Sequence, residues 1–271
     1  MSDKNLLIFG IIGIIAVMAL SYILFPGVRH IANEPSSEFN AVNQTAVTTT
    51  NKTNNILTAE NQDITKQTSD YSENVAYPKL INMQDVGAQD KVNKVIKDFI
   101  LGQVANFEEQ IMSEDISEGF QDYLQIQYLI TLLNESLVSI SFSVSENFGG
   151  AHPNNYTMTF NYDIAGGRNL ALGDIFQKGV SYQKIIGGIC QEKLIAQLGQ
   201  DEASKAWIEE GTSPQTGNFE NFGLTGASLV IYFNPDEVGP YAMGVQTIEI
   251  PFTDINQYLD TQGILKDLIQ G

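Results

Sequence analysis

A Gly-Gly-Ala-His-Pro turn near the middle of the chain carries the side chain best suited to acid–base chemistry. His152 stands between the glycine pair Gly149 and Gly150 and the following Pro153. Imidazole titrates near neutral pH, so His152 could serve as a general base or as a metal ligand. Either role requires partner side chains held close to the imidazole ring.

The sequence offers few partners of that kind. The chain has 2 His and 1 Cys; His30 follows an apolar N-terminal stretch, and Cys190 lies in an apolar pattern typical of a buried thiol. Zinc sites usually combine several His or Cys ligands, and the sequence lacks the G-x-S-x-G elbow of serine hydrolases. We therefore predict no catalytic residue, no metal and no cofactor. Two interpretations of the turn stay open: a strand corner in which His152 hydrogen-bonds nearby backbone, or a ligand-contacting loop.

A second cluster, "NPDEVGPYAMG", spans Asn234–Gly244. Asp236 and Glu237 could bind calcium through their oxygen atoms, but the segment lacks the alternating acidic ligands of a calcium loop, which favours a solvated turn. Pro240 and Tyr241 suit either packing at a sheet edge or an aromatic contact surface. The candidate binding residues of both clusters are Gly149, Gly150, His152, Pro153, Asn154, Tyr156, Pro240 and Tyr241.

Alternating apolar and polar residues predict the strands that position these clusters. In "LVSISFSVSE" and "YTMTFNYDI" every second residue is apolar, and serines such as Ser139 and Ser141 fall between them. A period of two indicates a strand with one buried face, and we expect the serine face to contact water. Helical spacing of apolar residues predicts helices from Ala88, over 181–198 and over 201–210. This pattern predicts an α+β fold, with a mainly antiparallel sheet packed by helices.

The N-terminal part differs in character from the rest. Leu6–Phe25 contains no charged residue, and its length suits a helix that crosses about 30 Å of hydrocarbon. We predict a transmembrane signal anchor over residues 6–25 and a short cytoplasmic tail over 1–5; a cleaved signal peptide is the alternative. The Asn- and Thr-rich residues 26–74 are predicted to form a disordered linker, because they include few large apolar side chains.

The charge balance restricts the partners. With 14 Lys and Arg against 32 Asp and Glu, the formal net charge is −18. Such a surface repels polyanions, so we expect no nucleic acid partner, and it attracts cationic proteins and divalent cations. The alternative is that the acidity only keeps an exported domain soluble. A large domain behind a short N-terminal anchor is most simply an exported one. We therefore expect a single-pass protein of the cell membrane with its C-terminal domain outside the cytoplasm.

Several motifs in order resemble a family of extracytoplasmic bacterial domains. They are "YPKL" and "VNKVIKDFI" in the first half, then "GGAHP", "FNYDIAGGRNLALGDIF" and "FNPDEVGPYAMGVQTIEIPF". This RsiV-like family includes the outer domain of a lysozyme-sensing anti-sigma factor and the N-terminal module of a peptidoglycan deacetylase. The resemblance implies a smaller leading lobe over residues 75–120, a main domain over 121–262 and a tail over 263–271.

Two departures from those relatives shape the expected function. Residues 1–5 are too short for a sigma-binding segment, and no catalytic deacetylase segment follows the resembling region, so we expect neither activity. The resemblance implies an envelope domain that binds or senses a ligand, either a cationic protein such as lysozyme or cell-wall glycan. The alternative is a glycan hydrolase that uses two carboxylates, although no spacing among the acidic residues singles out a pair.

Overall fold

The computed structural model describes residues 56–113, 121–150, 152–199 and 201–269. The predicted tail, signal anchor and most of the predicted linker, residues 1–55, lie outside these ranges. Within them, no helix is both long enough and apolar enough to cross a membrane.

A six-stranded sheet runs through the first half of the domain in the order β1-β2-β3-β4-β5-β6. Strand β2 pairs with β3 in parallel, and every other neighbouring pair is antiparallel, which confirms the predicted mainly antiparallel sheet. The strand bounds are Thr58–Gln67, Tyr71–Ile81, Asp122–Leu133, Leu137–Asn147, Asn154–Asp163 and Arg168–Asn169.

The first two strands correct the predicted linker and the predicted lobe boundary. Strand β1 and the start of β2 lie inside residues 26–74, so the predicted linker ends too late. Strand β1 is mostly polar because it is an edge strand, held by a ten-residue backbone ladder to β2 and not by apolar burial. The boundary predicted between residues 120 and 121 is also wrong, because β2 pairs directly with β3.

Helix α1, Val86–Ser113, covers one face of this sheet. Its apolar residues recur every three or four positions, so they form one stripe along the helix. The stripe buries Val92, Ile96, Ile100 and Phe107 in a core shared with all of the long strands. This core holds the first hydrophobic cluster, which extends from Leu57 to Ile164.

The second hydrophobic cluster is built mainly from the C-terminal half. It packs helices α2 (Tyr182–Leu198) and α3 (Glu202–Gly211) with a three-stranded sheet in the order β7-β8-β9. The bounds of those strands are Phe222–Leu224, Ser228–Phe233 and Gln246–Pro251, and two short helices, α4 (Phe252–Ile255) and α5 (Lys266–Ile269), follow. Leu265 is fully buried here, so the predicted tail over 263–271 belongs in part to the packed domain.

A buried polar seam joins the two sheets. Ser139 is fully buried; its hydroxyl donates to Asn161 Oδ1 at 2.7 Å and accepts from the Leu224 amide at 2.9 Å. The Asn161 side chain donates in turn to the Phe222 carbonyl at 2.6 Å. The expectation that the serine face contacts water is therefore wrong at Ser139, because β7 covers it and supplies the hydrogen bonds that burial requires.

Candidate functional site

The two predicted clusters meet in space through one tyrosine. The Tyr241 hydroxyl, from the β8–β9 loop (residues 234–245), donates to the Pro153 carbonyl. The same hydroxyl accepts from the Asn155 amide at 3.3 Å. Residues almost ninety positions apart are thus held together, and the loop is attached to the start of β5.

Asn234 attaches the other end of the same loop. Its side-chain oxygen accepts from the Thr157 amide at 2.8 Å, and its side-chain nitrogen donates to the Thr157 carbonyl at 3.2 Å. Asn221 also donates to that carbonyl, at 2.9 Å. An edge strand presents unpaired backbone groups, and here the Asn234 amide satisfies both groups of one residue as a neighbouring strand would.

The β4–β5 turn is shaped by glycine and by a side-chain cap. Gly149 has a φ of 73°, in the left-handed region that glycine adopts without a steric penalty. The Gly150 amide donates to Asn147 Oδ1 at 3.0 Å. His152 is exposed, and its side chain makes no hydrogen bond to any residue that the structure describes. The interpretation that His152 holds the turn is therefore wrong, because Tyr241 and Asn147 do so.

Glu146 organises the base of the turn. Its two carboxylate oxygens accept from the Asn154 side chain at 3.0 Å and from the Tyr156 hydroxyl at 3.3 Å. Burial raises the pKa of Tyr156, and the adjacent Glu146 carboxylate raises it further. Tyr156 therefore stays protonated and acts as a fixed donor to Glu146 at physiological pH.

The β8–β9 loop is closed internally by its acidic residue Glu237. Glu237 Oε2 accepts from the Asn234 amide at 2.8 Å, and burial raises the pKa of this carboxyl group. Asp236 has a φ of 70°, a backbone conformation that Asp tolerates in turns. Within the described ranges, no group of three or more His, Cys, Asp or Glu residues could hold a metal ion.

Helix α3 supports the loop from below. Gly211 packs so closely that an added Cβ would lie 1.9 Å from the Glu237 carbonyl. One turn earlier, Trp207 donates from its ring nitrogen to the Asp236 carbonyl at 3.1 Å. The β8–β9 loop is thus fixed by β5 on one side and by α3 on the other.

Three large apolar side chains on this support remain exposed. The exposed fractions are 38% for Trp207, 38% for Tyr241 and 39% for Met243. We call these three residues the aromatic surface. Aromatic rings held in fixed positions offer a large contact area at little entropic cost, so they suit a binding site for sugar rings or apolar groups.

The structure brings candidate binding residues of the two predicted clusters into contact, and it gives several of them a structural role. Pro153 and Asn154 belong to the contact with the loop and its base, while Tyr241 is both a latch and an exposed ring. Sequence reasoning missed Asn234, Asn221 and Trp207. Asn234 opens the "NPDEVG" motif, and an Asn before Pro predicts only a turn, so its pairing with a distant strand had no local signal.

A second acidic group lies under the C-terminal end of α1. Glu73 on β2 is only 2% exposed, and among the described residues its Oε1 has no hydrogen-bond partner. Burial and the neighbouring Glu108 carboxylate both raise the pKa of Glu73. Glu108 forms an ion pair with Lys66, whose hydrogen bond lowers the pKa of Glu108.

Two family descriptions match successive parts of the chain. Residues 64–155 match the family described as "Deacetylase PdaC", and residues 173–253 match a protein family of unknown function, DUF3298. The first match covers β2, β3, β4 and α1 of the large-sheet half, and the second covers α2, α3 and the small sheet. The chain therefore combines a PdaC-like segment with a DUF3298-like segment.

The chain is also similar to parts of several curated bacterial proteins. The chain is 27% identical over 179 residues to the peptidoglycan-N-acetylmuramic acid deacetylase PdaC of Bacillus subtilis, covering 65% of this chain and 38% of that protein. It is 28% identical over 113 residues to an esterase of Mycobacterium tuberculosis, covering 42% and 48% of the two chains. The immunogenic protein MPT64 of the same species is 26% identical over 121 residues, with 45% and 51% covered. The chain thus spans about half the length, or less, of these relatives.

Two solved structures share the fold. A DUF3298 family member from Bacteroides fragilis superposes with a TM-score of 0.57 at 20% identity, covering 80% of this chain and 100% of that one. A DUF3298 family protein from Pseudomonas aeruginosa gives a TM-score of 0.52 at 17% identity, with 75% and 93% covered. The predicted likeness to the peptidoglycan deacetylase is confirmed, whereas the likeness to the anti-sigma factor RsiV stays a prediction.

Proposed function

We propose that this protein is a non-enzymatic binding domain of the bacterial cell envelope that holds cell-wall glycan on its aromatic surface. The observation that carries the proposal is the rigid support of the β8–β9 loop. Tyr241 and Asn234 attach the loop to β5, and Trp207 and Gly211 attach it to α3. Trp207, Tyr241 and Met243 nevertheless stay more than a third exposed.

The similarity to a peptidoglycan deacetylase supports the choice of ligand. That relative acts on peptidoglycan, and the match to the PdaC family includes β4 and the β4–β5 turn. We infer an extracytoplasmic location for the same reason, with residues 6–25 as the membrane anchor. Protease added to intact spheroplasts should then degrade the folded domain while the cytoplasmic marker proteins survive.

Sedimentation with purified peptidoglycan sacculi tests the glycan proposal. The full-length protein should co-sediment, and Tyr241→Ala should weaken binding about tenfold, because a central aromatic contact contributes more than about 1 kcal/mol. Met243→Ala should weaken binding less, by a few-fold. Met112→Ala is the matched control, since Met112 is 85% exposed on α1 and far along the chain from the aromatic surface. Equal binding by wild type and Tyr241→Ala would contradict the assignment of this surface.

The charge favours a cationic protein, such as lysozyme, as a second candidate ligand. The formal net charge of −18 would accelerate encounter with a basic partner. Calorimetry of the full-length protein with hen lysozyme at two salt concentrations separates the possibilities. Physiological ionic strength is roughly 0.15 M, so about 0.3 M salt screens general charge attraction more strongly. Stoichiometric binding that survives this salt concentration would support specific recognition. Heat that disappears with added salt would indicate general charge attraction only.

Catalysis is less well supported than binding. A glycan hydrolase needs two accessible carboxyl groups, and the neighbouring pair Glu73 and Glu108 has one member only 2% exposed beneath α1. An esterase of the serine type needs a base bonded to its nucleophile, and the His152 side chain contacts no described residue in that way.

A further inference from the structure

A cleft in the C-terminal half of the domain has the composition of a ligand site. Its volume is about 480 Å³, and it opens between the first turn of α2 and residues 214–222. Pockets that bind small molecules typically enclose roughly 300–1,000 Å³ over an apolar floor with a few polar groups. The floor here is formed by Leu170, Leu172, Phe219 and Phe222, each at most 6% exposed.

One aromatic wall of the cleft is held in place. The Tyr182 ring stacks on Phe176 with a centroid distance of 5.1 Å and an interplanar angle of 12°. Gly173 lies against the edge of the same ring, and an added Cβ there would come within 3.1 Å of Tyr182 Cε1. The ring therefore has little freedom to move, and it forms a preorganised side of the cleft.

The polar groups of the cleft have free hydrogen-bonding capacity. Gln183 and Glu220 line the opening, and neither side chain is hydrogen-bonded to another residue in the described part of the chain. The Tyr182 hydroxyl is likewise without a partner there. An amide, a carboxylate and a phenol thus line the cleft beside its apolar floor with free hydrogen-bonding capacity.

This set of groups selects the ligand chemistry. The Glu220 carboxylate accepts hydrogen bonds and repels anions, so it favours hydroxyl or ammonium donors. The apolar floor and the Tyr182 ring favour a flat apolar face or a methyl group. We propose that the cleft binds one uncharged N-acetylated hexosamine unit, with sugar hydroxyls on Glu220 and Gln183 and the acetyl methyl on the floor. The proposal rests on the proposed glycan function and adds a second subsite to it.

The test uses the full-length protein and the soluble β-1,4-linked tetramer of N-acetylglucosamine. Calorimetry gives the affinity, and the methyl resonances of Leu170 and Leu172 report on the location by nuclear magnetic resonance. We expect both methyl signals to shift on titration. Glu220→Gln should weaken binding about tenfold, since hydrogen bonds to a charged group are the stronger class.

A blocking variant and a matched control complete the design. Ala171 is exposed and lines the cleft, so Ala171→Trp should fill it without removing a core side chain. The Leu170 and Leu172 methyl signals should then no longer shift on tetramer titration, whereas binding at the aromatic surface remains. Glu210→Gln makes the same charge change as Glu220→Gln on an exposed residue of α3 outside the cleft, and it should bind as wild type does.

The outcomes separate this proposal from the function on which it rests. Leu170 and Leu172 methyl shifts that survive Ala171→Trp overturn the cleft and leave the aromatic surface standing. Tetramer binding that leaves these methyl signals unmoved in the wild-type protein does the same. Absence of tetramer binding in a wild-type protein that still sediments with sacculi overturns the cleft in the same way. If Nα-acetyl-lysine amide shifts those methyl signals and the tetramer does not, the ligand is a cationic side chain and the hexosamine assignment is wrong.

Discussion

Replacing Glu73 by glutamine should stabilise the protein at alkaline pH. Glu73 is 2% exposed, its Oε1 has no partner among the described residues, and Glu108 lies close enough to act on its charge. Other ionisable groups at this end of the sheet are Lys66, Tyr71 and the buried Asp122. Lys66 already pairs with Glu108, so an ionised Glu73 is poorly compensated.

The direction of the pH dependence follows from the raised pKa of Glu73. The folded protein keeps a proton that the unfolded chain releases above the ordinary glutamic acid pKa of about 4.3. The stability that this proton provides is complete below that value, and it is lost as the pH rises through the folded-state pKa. The amide introduced by Glu73→Gln stays neutral throughout, so the advantage of this variant should grow with pH.

The size of the effect can be bounded from the burial. An unsatisfied buried polar group costs about 1–3 kcal/mol. We therefore expect Glu73→Gln to raise the free energy of unfolding by about 1–3 kcal/mol at pH 8 and by close to zero at pH 4.5. For a domain of this size, each kcal/mol corresponds to roughly 2–4 °C in Tm.

Urea unfolding and thermal melts at pH 4.5, 6 and 8 measure this directly. Glu109→Gln is the matched control, because it makes the same change on an exposed residue of α1 and should alter stability by less than about 0.5 kcal/mol. If Glu73→Gln lowers stability by the same amount at every pH, Glu73 is ionised and well paired, and the reasoning from its burial is refuted.

Three further substitutions test the support of the two sheets and of the loop. Asn161→Ala removes the hydrogen bonds to Ser139 and to the Phe222 carbonyl, so urea unfolding should show a free energy of unfolding lower by about 2–4 kcal/mol. A decrease below about 0.5 kcal/mol, the usual size for a surface substitution, would show that water replaces the amide. Asn234→Ala leaves the Thr157 amide without its acceptor, so it should lower the free energy of unfolding by about 1–3 kcal/mol and speed hydrogen exchange at Thr157. Unchanged exchange at Thr157 would contradict the strand-like pairing. Gly211→Ala places a methyl group against the Glu237 carbonyl, so it should lower the free energy of unfolding by about 1–3 kcal/mol. It should also shift the fluorescence emission of the single tryptophan, Trp207, and an unshifted spectrum would mean that α3 does not position the loop.

The sequence predicted the elements that carry strong periodicity. The alternation in "LVSISFSVSE" and "YTMTFNYDI" placed β4 and β5 correctly, and the apolar stripe from Val92 placed α1. Strand β1 was missed because its residues are polar and its stability comes from backbone pairing with β2, which leaves no apolar pattern. The burial of Ser139 was missed for a related reason, since only the distant β7 decides which polar face is covered.

The sequence predicted which residues belong to the candidate site, but not the hydrogen bonds that hold them together. The turn at Gly149–Pro153 and the loop around Tyr241 were both singled out, but nothing local indicates that Tyr241 reaches the Pro153 carbonyl. One of the two interpretations left open for the turn had His152 hydrogen-bonding nearby backbone. The structure uses the Tyr241 phenol and the Asn147 side chain instead, because these bond to the Pro153 carbonyl and the Gly150 amide.

The most direct test of the glycan-binding account is the fluorescence of Trp207 during titration with soluble peptidoglycan glycan strands. Trp207 is the only tryptophan in the chain, and it belongs to the proposed contact surface. The account predicts a saturable change in its emission, with an apparent Kd about tenfold weaker in Tyr241→Ala. Sedimentation with sacculi that leaves the Trp207 emission unchanged, and that is equal in wild type and Tyr241→Ala, would contradict it.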